Sequence, residues 1–227
     1  MDWVSDTPLP HNQLSQRYRG ALKMLGIMPM GRRPGTQNAA AAIFYSLPAS
    51  QYKTFEAEGL GAWQDEVATL WPDFAPFARQ ITHESQLTMA RYAHGTLARV
   101  WAQGLVHIGD AAHQASPQLG QGANMALLDA FALARALRRR QDDAALADYA
   151  FMRRWHVRLY QAFSYAFTPQ YQSHSRALPL LRNSVLAPLS LVPPLPRILS
   201  RLVCGDIIPP LASSAALPAL EKAKAKS

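Results

Sequence analysis

The sequence predicts a mixed α/β chain in which an antiparallel sheet, a strand–loop–helix unit and a set of C-terminal helices follow one another. An extended apolar pattern precedes residue 48, and helical apolar spacings follow it. Near the middle of the chain, a glycine-rich loop joins a short apolar run to a long stretch rich in Ala and Leu. Hydrophobic residues make up 49% of the 227 residues, which is enough for a sizeable core.

The charge of the chain is basic but scattered. The 23 Lys and Arg residues outnumber the 15 Asp and Glu residues, which gives a net charge of +8. No stretch interleaves basic and aromatic residues on one face, so we expect a solvated basic surface and no nucleic-acid partner. Attraction to an anionic lipid or an anionic cofactor remains as the alternative.

Cysteine usage and the first residues indicate the compartment. The single cysteine, Cys204, excludes an internal disulfide framework and fits a reducing environment. The segment Met1–Pro10 contains two Asp and two Pro and has no apolar core, so it does not have the pattern of a signal peptide. We therefore expect a cytoplasmic protein.

Extended segments are predicted in the first part of the chain. Residues 1–16 are expected to be irregular. Residues 17–31 form one long strand or two strands that meet at a bend, and residues 39–47 form the next antiparallel strand, which Pro48 ends. Residues 87–92 are predicted to return to a strand.

Helices are predicted between these strands, over residues 48–81. Apolar side chains recur there at helical spacings. Gly59 and Gly61 are expected to separate two helices, and Pro72 and Pro76 to end the second.

The middle of the chain has the pattern of a buried strand, a loop and a buried helix. The strand is predicted at Leu105–Ile108 and the helix at Ala123–Leu137. The first N–H groups of a helix lack internal partners and its dipole adds positive charge, which favours a negative or electron-rich ligand there. Gly120 and Gly122 let a flat ligand approach the backbone closely, and Asp110 can accept hydrogen bonds from ligand hydroxyls.

This stretch strongly resembles the second FAD motif of the para-hydroxybenzoate hydroxylase-like (class A) flavoprotein monooxygenases. Their pattern is Gly-Asp-Ala-Ala-His, a Pro, then Gly-x-Gly-x-Asn and a helix with an inward Asp. The matching residues here are Gly109, Asp110, Ala111, Ala112, His113, Pro117, Gly120, Gly122, Asn124 and Asp129.

The resemblance implies that FAD is the cofactor. Asp110 would bind the ribityl hydroxyls, Pro117 would lie beside the isoalloxazine ring, and the N–H groups of Ala123 and Asn124 would face N1 and O2 of the flavin. A helix N-terminus at that position stabilises the negative charge of the reduced ring. The full predicted set of cofactor-binding residues is Gly109, Asp110, Pro117, Gly120, Gln121, Gly122, Ala123 and Asn124.

Other polar residues of the motif are given structural roles. His113 is expected to hold the loop by a hydrogen bond. Asp129 lies in an apolar helix and needs a partner if it is buried, so we expect it to tie that helix to a neighbouring loop. We assign no catalytic side chain and no metal ligand, because no His or Cys cluster has metal-ligand spacing and His107 and His113 lack a third ligand.

The family resemblance also implies a domain plan and a missing part. Residues 1–95 would form the substrate-domain sheet with a helical insertion, 96–140 the second FAD motif, 141–211 a C-terminal helical region, and 212–227 a disordered tail. The family's Gly-x-Gly-x-x-Gly unit, which binds the ADP half of FAD, has no match here. We therefore expect the C-terminal half of a longer enzyme whose N-terminal Rossmann unit is missing, and weak FAD binding by this half alone.

As a class A monooxygenase, similar to hydroxylases of ubiquinone biosynthesis, the complete enzyme would use NAD(P)H and O2. Its flavin C4a-hydroperoxide would transfer oxygen to a small aromatic or quinone-like substrate. Two alternatives stay open. One is another flavin enzyme, either a prenyl reductase or a halogenase, although the halogenase signature Trp-x-Trp-x-Ile-Pro is absent. The other is a non-catalytic fragment that binds a partner or a membrane.

The C-terminal part is predicted to be helical. A long helix over residues 144–167, which Pro169 ends, would bury one face. Residues 173–210 are apolar and rich in Pro, and form either a packed helical hairpin or an amphipathic surface that contacts lipid. Their longest uncharged run, residues 183–196, is too short to span a bilayer. The residues predicted on the buried face of the long helix are Leu146, Tyr149, Val157, Tyr160 and Phe163.

Overall fold

The computed structural model describes residues 1–212, which fold as two units. Unit 1 comprises Met1–Ala90 and Pro169–Arg182. Unit 2 comprises Arg91–Thr168 and the residues from Asn183 onwards. Apart from Ala212, the predicted tail 212–227 lies outside the described residues.

Unit 1 contains a three-stranded antiparallel sheet. Its strands are β1 (Ser15–Arg19), β2 (Lys23–Arg32) and β3 (Ala39–Ser46), in the order β1-β2-β3. The sequence left open one strand or two over residues 17–31, and the structure has two, joined by a tight turn at Gly20 (φ 64°). The predicted third strand is confirmed.

The helices of unit 1 cover one face of this sheet. Helix α1 (Tyr52–Leu70) is interrupted at Gly59, where φ is 77° and ψ is 178°, so a glycine does separate two helical segments as predicted. Helix α2 (Ala75–Ala78) contains Pro76 near its start, where a missing N–H costs nothing. The large buried residues of the shared core are Leu25, Ile27, Trp63, Val67, Trp71, Phe74, Phe77 and Ile81.

The strand predicted over residues 87–92 is wrong. These residues have no regular structure, and residues 88–92 are exposed. Within residues 1–212 no other strand pairs with them, and only Leu87 packs against the core of unit 1.

The strands of unit 2 are short. They are β4 (Gly95–Thr96), β5 (Trp101–Ala102) and β6 (Leu105–Val106), and β5 pairs with β6 in antiparallel fashion. The predicted buried strand Leu105–Ile108 is therefore shorter than expected, and both its end residues are exposed. In the described part of the chain β6 pairs only with β5, which leaves its other edge and one face uncovered.

The helix that follows the loop begins and ends almost where the sequence predicts. Helix α4 spans Gly122–Leu137, after a single turn, α3 (Asp110–His113). The predicted buried helix is only partly buried, because the buried residues of α4 lie on one face while Leu127 and Phe131 are exposed. The sequence of α4 contains many alanines, which are apolar but small enough to lie on an exposed face as well.

The long C-terminal helix is α5 (Asp143–Tyr171). Four of the five residues predicted on its buried face are buried, and the fifth, Phe163, is half-buried. Pro169 does not end this helix as predicted but lies in its last turn, where it removes only one backbone hydrogen bond.

Short helical segments follow, namely α6 (Ala177–Leu181), a π-helical turn (Arg182–Leu186), α7 (Ala187–Leu189) and α8 (Leu195–Cys204). Leu202 of α8 packs in a buried cluster with Met125, Val157 and Tyr160. None of the helices in residues 1–212 combines the length and apolarity needed to cross a bilayer.

Candidate functional site

Unit 2 contains a cavity of about 360 Å³ at the loop between α3 and α4. The start of α3, the loop itself, the first turn of α4 and one side of α5 form its walls. Six of the eight residues predicted to bind a cofactor line it: Asp110, Pro117, Gly120, Gln121, Gly122 and Ala123.

The other two predicted residues do not line the cavity. Asn124 donates a side-chain hydrogen bond to Oε1 of Gln121 (2.7 Å), so it supports a residue of the wall. Gly109 is buried, with φ at 56°, and a Cβ atom there would lie 3.1 Å from Cβ of Ala126. The turn between β6 and α3 therefore requires a glycine both for its backbone conformation and for its close approach to α4.

The first turn of α4 presents free backbone donors at the cavity. The N–H of Met125 donates to the carbonyl of Gln121 (2.8 Å), and the N–H groups of Gly122, Ala123 and Asn124 come before that first bond. A Cβ atom at Gly122 would meet no heavy atom within 4 Å, so a flat group can approach this backbone. The helix dipole adds partial positive charge at this point.

Asp110 provides the negative charge of the site. It is exposed, stands at the start of α3, and lines the cavity. Among the cavity-lining residues that the structure describes, it is the only acid. An ionised carboxylate only accepts hydrogen bonds, so the cavity offers an acceptor on one wall and backbone donors on another.

A buried ionic network lies behind this wall and centres on Asp129 of α4. Its Oδ2 accepts hydrogen bonds from the N–H of Gly109 (2.9 Å) and from Nε2 of His113 (2.6 Å), and its Oδ1 accepts one from Nε of Arg153 (2.6 Å). Burial alone would raise the pKa of Asp129, but the hydrogen bonds from these three donors outweigh it and hold the pKa below its usual 3.8. The predicted structural roles of Asp129 and His113 are confirmed, since both hold the turn against the helix.

The network extends through α5 to the last described residues. Arg153 also donates from Nη1 to the carbonyl of Pro210 (2.6 Å) and lies 3.3 Å from Nδ1 of His156. Nε2 of His156 lies 2.9 Å from the carbonyl of Gly205, to which it donates. Burial lowers the pKa of His156 below 6.5, which keeps the ring neutral and leaves Nδ1 to accept from Arg153.

Two residues of α5 fix the loop that carries Pro117. Nε2 of Gln161 donates to the carbonyl of His113 (2.8 Å), and Oγ of Ser164 donates to the carbonyl of Ser116 (3.4 Å). Oγ of Ser164 also lies 3.0 Å from Nε2 of His94. Sequence reasoning missed Arg153, Ser164 and His94. The only signal for Ser164 is a small polar residue within a helix face that is otherwise apolar.

Metal-ligating side chains are not clustered in the part of the chain that the structure describes. Within the described residues 1–212, no group of three His, Cys, Asp or Glu side chains lies close enough together to hold a metal ion.

The comparisons with known proteins agree with this geometry. Residues 53–161 match the family model described as the FAD binding domain, and that range includes every predicted cofactor-binding residue. No protein with a curated description matches the chain by sequence.

Solved structures of similar fold include proteins of two bacteria. HpxO of Klebsiella pneumoniae, solved with FAD and uric acid, is 20% identical with a TM-score of 0.63, over 86% of this chain and 48% of that one. PqsL of Pseudomonas aeruginosa in complex with 2-aminobenzoylacetate is 21% identical with a TM-score of 0.60, over 77% and 48%. Another structure of PqsL, described as a probable FAD-dependent monooxygenase, is 22% identical with a TM-score of 0.59, over 76% and 48%. These likenesses show the fold, and the chain spans about half the length of each.

Proposed function

We propose that this chain, whose residues 53–161 match the model of the FAD binding domain family, is the half of an FAD-dependent monooxygenase that holds the flavin ring and its ribityl chain. The observation that carries the proposal is that Asp110 and the open first turn of α4 line one cavity. A hydroxylated chain next to an electron-rich ring requires this combination, with an acceptor for hydroxyls and donors for ring oxygen and nitrogen.

The volume of the cavity supports the same ligand fragment. Pockets for small ligands range from roughly 300 to 1,000 Å³. At about 360 Å³ the cavity lies near the lower limit, which suits a ring and part of its side chain better than a whole dinucleotide.

Residues in the cavity wall and next to it receive separate roles. Asp110 accepts hydrogen bonds from ribityl hydroxyls, Pro117 packs beside the ring, and the N–H groups of Ala123 and Asn124 point to its pyrimidine end. Gly109 acts from behind the cavity, because its N–H holds the turn onto Asp129.

When bound and reduced by NAD(P)H, the flavin supplies the activation of O2 and the transfer of oxygen to substrate. The chain contributes the positive helix mouth, which stabilises negative charge on the reduced ring, and walls that hold the ring in place. The similar structures contain uric acid and 2-aminobenzoylacetate, so we propose a small aromatic or quinone-like substrate.

The ADP half of FAD needs further contacts. The chain spans about half the length of the similar structures, and we propose that a Rossmann-type unit outside these 227 residues binds the pyrophosphate and adenosine. Without those contacts, the chain should bind FAD more weakly than micromolar.

Flavin titration of the 227-residue chain tests this assignment. If recognition lies at the ring and ribityl chain, riboflavin and FAD should bind with similar, weak affinities in isothermal titration or fluorescence quenching. Asp110→Ala should weaken both by about 1.5–3 kcal/mol, the range for a hydrogen bond to a charged group. The matched control is Asp65→Ala, which removes an exposed acid in unit 1 and should leave both affinities unchanged.

Two results would contradict the proposal. Sub-micromolar binding of FAD with no binding of riboflavin would place recognition on the ADP half. Equal flavin affinities for the Asp110→Ala variant and the unmodified chain would remove the role of that carboxylate.

A further inference from the structure

We propose that an apolar tip of unit 2, residues 187–194, docks on the surface of an anionic lipid bilayer. The tip comprises α7, the turn after it, and Pro193 and Pro194. This inference does not depend on the flavin assignment, because none of these residues lines the flavin cavity.

The tip exposes aliphatic side chains with no charge among them. Leu189 is 47% exposed, Leu191 is 78% exposed and Val192 is 51% exposed. The sequence carries no charged residue from Asn183 to Pro196. Exposed apolar residues that are neighbours in this way mark interaction sites, unlike single apolar residues scattered over a surface.

The backbone of the tip already satisfies its own donors. The N–H groups of Ser190, Leu191 and Val192 donate to carbonyls three or four residues earlier, at 2.8, 3.1 and 3.0 Å. Pro193 and Pro194 have no N–H, and the N–H of Leu195 donates to the carbonyl of Val192 (2.9 Å). Lipid offers no partner for backbone N–H groups, and those of Ser190, Leu191 and Val192 already have one within the segment.

The positive charge of the residues that follow the tip favours an anionic lipid surface. Between Asp148 and Asp206 the sequence contains seven Arg and no Asp or Glu. Two of these arginines, Arg197 and Arg201, are exposed on α8, which begins directly after the tip. Arg201 is paired with Asp206 (3.7 Å), so Arg197 contributes most of the attraction to an anionic surface. Aliphatic side chains next to arginines match acyl chains below anionic headgroups.

The side chains of the tip fit a lipid better than a protein partner. Binding hot spots in protein interfaces are enriched in Trp, Tyr and Arg, and Leu and Val are under-represented there. The tip contains two Leu, one Val, three Pro, one Ala and one Ser, and no Trp, Tyr or Arg. Helix α8, which follows the tip, is anchored to α5. Leu202 of α8 is buried, and its carbonyl accepts a hydrogen bond from the hydroxyl of Tyr160 (3.0 Å).

Vesicle flotation of the 227-residue chain tests the proposal. The chain should float with vesicles of phosphatidylcholine and phosphatidylglycerol in equal parts, and less with phosphatidylcholine alone. The double variant Leu191→Ser, Val192→Ser should bind the anionic vesicles at least about tenfold more weakly, because two exposed aliphatic side chains no longer enter the bilayer. Arg197→Gln should weaken binding to the anionic vesicles alone.

The matched control is Leu127→Ser on α4, which removes a side chain that is 70% exposed elsewhere in unit 2. It should leave flotation unchanged. The proposal fails if the unmodified chain does not float with anionic vesicles, or if Leu127→Ser reduces flotation as much as the tip variant does. It also fails if the chain is a dimer that the tip variant dissociates while neither protein binds vesicles, because the tip would then contact a second copy.

Discussion

Replacing Asp129 by Asn removes the charge at the centre of the buried network while it keeps the size of the side chain. The carboxylate accepts from Gly109, His113 and Arg153, and an amide cannot accept all three of these hydrogen bonds, because its nitrogen is a donor. The guanidinium of Arg153, which is almost fully buried, loses its counter-ion.

The expected loss follows from that geometry. Breaking a buried ion pair by removing one partner costs about 3–5 kcal/mol. Arg153 retains other acceptors, among them the carbonyl of Pro210 and Nδ1 of His156, so we expect the lower end, about 3 kcal/mol. For a chain of this size that corresponds to a melting temperature lower by about 6–12 °C.

Urea denaturation followed by circular dichroism measures the loss, and hydrogen exchange of the Gly109 amide shows whether the turn opens. The control is Asp206→Asn, which removes an exposed partner of Arg201 and should change the free energy of unfolding by less than about 0.5 kcal/mol. A loss below about 1 kcal/mol for Asp129→Asn would show that the carboxylate does not hold this turn. The double variant Asp129→Leu, Arg153→Met should lose less than the sum of its single changes.

Further predictions concern the turn and the pH dependence of stability. Gly109→Ala should destabilise the chain by about 1–3 kcal/mol, because φ is positive and Cβ of Ala126 would lie 3.1 Å away. Gly122→Ala meets no neighbour and should change stability by less than about 0.5 kcal/mol, but its methyl group should weaken riboflavin binding. If titration shows equal riboflavin affinity for the Gly122→Ala variant and the unmodified chain, the flavin ring does not approach the first turn of α4 as we propose. Because the folded pKa of His156 lies below 6.5, the unfolded chain binds its proton first, so stability should fall as the pH drops through 6.5 and below. Urea unfolding at pH values on both sides of 6.5 should show a shallower loss for His156→Gln than for the unmodified chain.

Local pattern predicted much of the fold that positions the site. The strand pairing of β2 with β3, the bounds of α4 and the break at Gly59 all follow from residues close together in sequence. The cavity wall formed by Asp110 and the first turn of α4 could also be predicted, because its residues lie in one continuous stretch of the sequence.

The remaining features depend on contacts between distant residues. Arg153 and Arg154 are adjacent and identical in type, yet only the packing of α5 on α4 decides that the first is buried with Asp129 and the second exposed. Gln161 holds a loop that lies 48 residues earlier, so no local pattern indicates it. The strand prediction for residues 87–92 is wrong for the opposite reason, since their composition favours a strand but no strand in residues 1–212 pairs with them.

The bonds from α5 to the carbonyls of Gly205 and Pro210 have a consequence for synthesis of the chain. Translation delivers the turn at Gly109 roughly a hundred residues before these two carbonyls emerge from the ribosome. Until then the nascent protein holds Arg153 and His156 without their last acceptors, so a flavin that arrives early meets a loosely assembled pocket. Cofactor loading should thus follow the arrival of residues 205–210 in the fold, rather than act as a nucleus around which the polypeptide folds.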